Sequence, residues 1–343
     1  MNSSSHSFNP IGRVFLVCLV ACLFASGASA ATTLKVATIS PEGSALMVEL
    51  RKAAAAIEEA TDGRVEFKFY SGGVMGDDFA VKRKIRARQL QGAILQTSVF
   101  TSDVPNLNVY NLPLQFKNVS EVTAVRSDLD PVLRSELEEA GYVSFGFVGI
   151  GLAYAMGSKS ATTVEETRRL KIWVPKDDPS TELMLKAFGV SPIPLTIVDV
   201  MTGLQTGLID TVASPPVAAI TLQWHTQIKY MLDVPFLYVF SVYVLDQRSF
   251  RRIEADDQEI VRKFMDQAIA NAEERGKQDH ESAIEVMLDQ GIELLKPDKE
   301  ALAEWQRNAD GAVEEWIDRG LVSQSVYDRF SRSLNRSRTE NAN

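Results

Sequence analysis

The stretch Leu170–Trp224, LKIWVPKDDPSTELMLKAFGVSPIPLTIVDVMTGLQTGLIDTVASPPVAAITLQW, restricts the choice of fold more than any other. Leu170–Val174 is a short apolar run closed by Pro175, which reads as a strand. Ser180 can cap a helix over Thr181–Phe188, and Gly189 supplies the left-handed residue that stops it. Thr196 can cap Ile197–Thr206 before Gly207; Ile209–Ala213 is the next strand, and Pro216 suits the first position of the next helix. Strand and helix in alternation imply an α/β fold with a parallel sheet. Ligands of such sheets sit at the carboxyl ends of the strands, where Trp173, Ser214 and Pro215 fall.

The N-terminus reads as a separate unit. Arg13 is the one charge in residues 1–30, and Val14–Phe24 is an apolar run too short for a stable transmembrane helix. Ala28-Ser29-Ala30 forms a small-x-small cleavage site, so a secretory signal peptide ends there. Leu19-Val20-Ala21-Cys22 also fits a lipoprotein box, which gives a competing, anchored product at Cys22. Either product lies outside the cytoplasm, the periplasm being the compartment expected. Both cysteines, Cys18 and Cys22, belong to this leader, so the mature chain relies on neither disulfides nor thiol chemistry. Its 35 basic side chains face 45 acidic ones with no basic tract, which argues against nucleic acid as a partner. About 313 residues suit two domains.

Further along, Leu34–Ile39 and Arg64–Tyr70 read as strands, and Ser44 can cap the helix between them. Asp77 or Asp78 caps a helix over Phe79–Gln91 carrying Lys82, Arg83, Lys84, Arg86 and Arg88. A solvated face explains that run better than an anion site. Ala93–Thr97 is a strand with Gln96, Thr97 and Ser98 at its end. Asp130-Pro131 reads as a helix start, and Tyr142–Gly149 as a strand that ends before Tyr154. Thr163 and Glu166 have capping-box spacing. Tyr230–Leu245 reads as two strand segments crossing between domains. From Asp256 or Asp257 to Gln290 runs a helical pattern of about 35 residues, or ~50 Å, longer than one small domain. Helices over 298–319 and 323–334 close the fold, and 335–343 reads as a disordered tail.

Six pieces carry a family resemblance: Gly63-Arg-Val-Glu-Phe-Lys68, Gly72-Gly-Val-Met-Gly-Asp-Asp78, Gln89-Leu-Gln-Gly-Ala93, Leu170-Lys-Ile-x-Val-Pro175, Ala187-Phe-Gly-Val-x-Pro-Ile-Pro194 and Gly203-Leu-Gln-Thr-Gly-Leu-Ile-Asp210. In this order they resemble the substrate-binding proteins of TRAP (tripartite ATP-independent periplasmic) transporters, of the dicarboxylate-binding, DctP-like class. The resemblance implies a two-lobed periplasmic-binding-protein fold with a hinge and a long helix spanning both lobes. Lobe I then comprises 31–153 and 246–283, and lobe II 154–245 and 284–334. It implies capture of a small organic ligand by hinge closure and delivery to small and large TRAP membrane subunits. It is compatible with a homodimer and implies no cofactor.

Two departures bear on the ligand. The family usually has a carboxylate-clamping arginine where Trp173 stands, and an asparagine near Ser214; a second basic residue is common where Ala153 and Tyr154 stand. Tryptophan offers an apolar face and one N–H in place of a two-pronged cation. With Gln223, Trp224 and Phe236 also in reach, the cleft is expected to prefer a ligand less anionic or more apolar than a dicarboxylate. A plain core role is the competing reading of Trp173, and Lys171 or Lys176 is available to restore a cation. No nucleophile, metal or phosphate-loop motif is present, and the three histidines, including His225 and His280, are scattered, so catalysis and metal binding are not expected. A binding protein for an ABC importer or sensor, or a periplasmic carrier of a hydrophobic ligand, are the alternative functions.

Overall fold

The structure, a computed structural model, describes residues 31–341, the side chains of 277–281 excepted. The leader, both cysteines and the His280 side chain lie outside the described residues. The strands are β1 (Thr32–Thr38), β2 (Val65–Tyr70), β3 (Gly92–Gln96), β4 (Tyr142–Gly157), β5 (Trp173–Pro175), β6 (Ile193–Leu195), β7 (Thr211–Ser214), β8 (Tyr230–Asp246) and β9 (Glu293–Leu295). The main helices are α1 (Ala45–Ala60), α2 (Asp78–Arg86), α3 (Val119–Glu139), α4 (Pro179–Ala187), α5 (Val200–Thr206), α6 (Pro216–Thr221), α7 (Ala255–Asp289), α8 (Lys299–Asp318) and α9 (Gln324–Glu340).

Two lobes share β4 and β8. In the first, the sheet runs β2-β1-β3-β8-β4, with β1 parallel to β2 and β3, and β8 antiparallel to β3 along Ser241–Leu245. The far half of β4 pairs with β7, Tyr154 opposite Ser214, and the near half of β8 pairs with β9. A parallel bridge from Ile172 to Thr211 ties on the β5–β6 pair. The parallel pairing expected of the αβ alternation over 170–224 is found there, in β5–β6 and the Ile172–Thr211 bridge. Parallel pairing holds within β1–β3 and β5–β6, but the connecting strands β4 and β8 are antiparallel to each other along nearly their whole length.

The continuous β4 also corrects the expected break at Gly149. Gly146 and Gly151 take φ of 121° and 140°, and the β4–β8 register shifts beside them. Such positive φ is open to glycine, so the strand absorbs its irregularities as bulges instead of ending. Likewise β8 is one strand, not two segments, with Pro235 inside its ladder.

Helix ends mostly follow local chemistry. Ser44, Asp77, Asp298 and Ser323 each accept a backbone N–H at the start of a helix, and Thr163 with Glu166 forms a reciprocal capping box. Three expectations are corrected. The cap of α4 is Asp178, not Ser180, because Pro179 takes the first helical position. Helix α3 starts at the Asn118 cap and carries Pro131 inside. Pro131 forfeits one helical bond, yet Val122, Val125, Leu129, Leu133 and Leu137 bury one stripe and hold the helix. Finally, α9 runs through Glu340, so the segment from Asn335 is helical: Arg338 reaches Glu121 on α3 at 2.9 Å and the Gln115 carbonyl at 2.7 Å.

Helix α7 spans the molecule. It packs on α1 of the first lobe, on β4, and on α6 of the second. Arg126 of α3 binds Asp130, the Phe147 carbonyl at 3.0 Å and Glu273 of α7, joining helix, strand and spanning helix in one half-buried network.

Candidate functional site

The carboxyl end of β3 and the start of α2 face the end of β5 across the gap between the lobes. A small cavity lies there, its apolar wall made by Ile39, Phe79, Val99, Pro175 and Ile197 with Trp173. Gln96, Ser98 and Thr196 add neutral polar groups, and Asp77, Asp78 and Lys176 the ionisable ones. The cavity encloses about 30 Å³, room for a water or two. It shares Phe79, Ser98 and Val99 with a wider outer groove of about 670 Å³ that runs along α4 and the turn after α8.

Trp173 forms part of this wall but is only 6% exposed. Its Nε1–H donates to the Leu195 carbonyl at 3.0 Å, tying β5 to β6, and its ring meets Trp224 edge-on with centroids 5.3 Å apart. The one N–H an indole can offer is therefore spent inside the lobe. What remains for a ligand is apolar surface.

Of the other residues expected at the site, Gln96 and Ser98 line the cavity with Trp173. Thr97 is buried in the first turn after β3. Ser214 and Tyr154 are a buried cross-strand pair, and Pro215 is the N-cap of α6. Trp224, 2% exposed, backs Trp173. Gln223 is exposed, with φ of 60°. Phe236 packs on Phe188 and Trp305 in the core of the second lobe. None of these seven, Thr97 included, lines the cavity. Lys171 donates to the Gly207 carbonyl at 2.8 Å, while Lys176 stands exposed on the cavity rim.

The residue that sequence reasoning passed over is Asp78. With Asp77 as the helix cap, Asp78 is free for another role. It is 8% exposed, and its Oδ2 accepts the Gln96 N–H at 2.9 Å. Its Oδ1 has no hydrogen-bond partner. Burial pushes the carboxyl up to about 6; the Gln96 amide pulls it back, and Asp77 adds a smaller upward push. The Gly-Asp-Asp run was the available signal: two adjacent acids cannot both cap one helix.

The lobes touch beside the cavity. The hydroxyls of Thr101 and Ser180 lie 3.2 Å apart, and Ser98 hydrogen-bonds Asp178. Arg83 and Asp177 stand 3.6 Å apart at the exposed edge.

Two lobes joined by continuous strands flank an aromatic-walled cavity, the architecture of a solute-binding fold. The family model for bacterial extracellular solute-binding protein family 7 (DctP) matches residues 36–319, and the chain belongs to that family. Its members bind substrates for transporters and are not enzymes. The sialic acid-binding periplasmic protein SiaP of Vibrio cholerae is 20% identical over 303 residues, 88% of this chain and 94% of that one. A TRAP periplasmic solute-binding protein from Sulfitobacter sp. NAS-14.1, solved with bound β-D-galacturonate, superposes with a TM-score of 0.78 at 19% identity. That match covers 88% of this chain and 99% of its own. DctP7, a Bordetella pertussis extracytoplasmic solute receptor binding pyroglutamic acid, gives a TM-score of 0.80 at 17% identity, covering 89% and 100%. Among the described residues, no helix is long and apolar enough to cross a membrane.

Proposed function

We propose that this chain is the periplasmic receptor of a TRAP-type transporter, capturing a small organic solute that carries no net double negative charge. The leader is removed, and the mature chain delivers its closed, loaded form to the small and large membrane subunits. Family membership supports the role, and the relatives' sialic acid, galacturonate and pyroglutamate support a small organic solute. The observation that carries the solute's charge is the set of ionisable groups around the cavity: Asp77 and Asp78 against one rim lysine, Lys176, with no arginine among the lining residues. A dianion placed there meets two carboxylates and no two-pronged donor.

The lobe division read from the sequence is kept as part of this proposal, because β4 takes β7 as a partner from Tyr154, where it sets one boundary. The present cavity is too small for an organic guest. Loading therefore requires the Thr101–Ser180 contact to part and the lobes to close again on the ligand.

Mass spectrometry of the molecule released on denaturing natively purified protein tests the role and the solute class together. A neutral or zwitterionic compound supports the reading. Titration calorimetry showing tight binding of a dicarboxylate, lost on Lys176→Gln, would place the dianion on the rim lysine and overturn it.

A further inference from the structure

Asp78 is a buried carboxylate with one oxygen satisfied by the chain's own backbone and one left over. Natural cores rarely leave a polar atom in that state, and where they do the group wants an explanation. The charged groups around Asp78 do not provide one. Asp77 is taken by the Ala80 N–H it caps. Lys82, one turn along α2, is bound to the Val99 carbonyl at 2.6 Å and to Asp103 at 2.9 Å. On the facing lobe, Asp178 holds Thr181 and Ser98, and Lys176 does not reach the Asp78 Oδ1, which has no hydrogen-bond partner. Asp78 nonetheless belongs to the wall of the interlobe cavity, with Phe79, Gln96 and Trp173 beside it. The missing partner must be a donor, and the one route by which a donor reaches this wall is the cleft itself.

We infer that Asp78 receives a protonated amine of the ligand, so that the solute is a small amine or zwitterion with an apolar body. The inference rests on the solute-receptor reading above and narrows it. An ammonium offers three donors and a full charge, which a buried carboxylate acceptor rewards more than a hydroxyl does. The apolar wall of Ile39, Phe79 and Trp173 takes the hydrocarbon part. In a zwitterion the ligand's carboxylate falls toward Lys176 on the opposite rim. Asp78 would then be a specificity-determining residue of the cleft, working through its charge. Burial places its titration near pH 6, so amine binding weakens as the medium is acidified through that region, whereas binding of a plain carboxylate strengthens.

Three matched probes separate the contributions: L-leucine, isoamylamine and 4-methylpentanoate share one hydrocarbon body and differ in charge. Each is tested by thermal shift and calorimetry on the mature wild-type chain and on Asp78→Asn, which keeps an oxygen for the Gln96 N–H. The expected result is that leucine and isoamylamine bind wild type at pH 7.5, and that Asp78→Asn weakens both tenfold or more. Wild-type affinity for isoamylamine should also fall between pH 7.5 and 5, a readout that needs no variant. Equal binding of isoamylamine by both proteins overturns the role of Asp78 and leaves the cleft reading standing. Preference for 4-methylpentanoate, strengthening at low pH, overturns the amine assignment and leaves the receptor reading standing. Absence of binding by all three overturns the amine assignment.

Discussion

The indole of Trp173 stands edge-on to that of Trp224, ring centroids 5.3 Å apart and planes at 72°, while its N–H is held by the Leu195 carbonyl. The pair makes one wall of the cleft a fixed, apolar surface. Trp173→Phe removes one of two donors to that carbonyl, the other being the Lys176 N–H at 3.0 Å. It should lower stability by about 1 kcal/mol. Trp173→Ala should cost about 3–5 kcal/mol through the cavity it opens. Urea unfolding followed by far-UV circular dichroism measures both, and near-equal costs would show that the ring adds little beyond its hydrogen bond.

Asp78 should leave a signature in the pH dependence of stability. Its folded-state value, about 6, lies above the usual 3.8, so the folded form binds the extra proton between the two. Its contribution is fullest below the lower value and is lost as pH rises through the upper one. The stability of Asp78→Asn relative to wild type should therefore improve by about 1–3 kcal/mol between pH 3.5 and pH 7.5. A difference that stays flat across that range would mean the carboxyl titrates normally.

Gly149 and Tyr238 are packed so that a methyl group cannot fit between them. A Cβ at position 149 would lie 2.5 Å from the Tyr238 hydroxyl and 2.9 Å from its ring, and that side chain is buried. Gly149→Ala should destabilise by about 1–3 kcal/mol. Adding Tyr238→Phe should recover part of the loss, because the hydroxyl is the nearest obstacle. A double-mutant cycle with no coupling between the two would contradict this packing.

Removing residues 335–343 should be costly. It strips Arg338 from Glu121, a carboxylate of which 3% is exposed, and leaves that charge buried with less compensation. We expect a loss of about 2–4 kcal/mol by chemical denaturation. Glu121→Gln in the shortened chain should restore some of it. A truncated protein as stable as the parent would mean the last turns of α9 carry no load.

The Thr101–Ser180 contact is, with Ser98–Asp178, a buried link between the lobes, while Arg83–Asp177 is exposed and worth little. Ser180→Ala should favour the open form by about 1 kcal/mol, a severalfold shift in population. Small-angle scattering should record a larger radius of gyration, and Arg83→Ala should leave it unchanged.

What was legible in the sequence follows from what is local. Helix caps depend on three or four adjacent residues, and Ser44, Thr163, Asp298 and Ser323 were all readable. The family pieces placed the fold, and the strand-end rule pointed to Gln96, Ser98 and Trp173, which line the cavity. The failures needed distant partners. Glycines at 146, 149 and 151 punctuate a sequence like a loop, and only the paired β8 makes them part of a strand. Pro131 looks like a helix start until the buried stripe on both sides of it is seen. The Asn335 segment is polar and ends the chain, and its partner Glu121 lies more than two hundred residues away. At the site, the sequence showed a tryptophan in a familiar place but not that its N–H was already committed. It showed Asp77 and Asp78 as interchangeable caps, though their environments differ completely.

Strands β4 and β8 and helix α7 each run through both lobes without interruption. No cut of the backbone therefore releases half the molecule intact: a fragment carrying either half would expose raw sheet edges and a severed helix. Melting should accordingly appear in calorimetry as a single cooperative endotherm, with neither half outlasting the other.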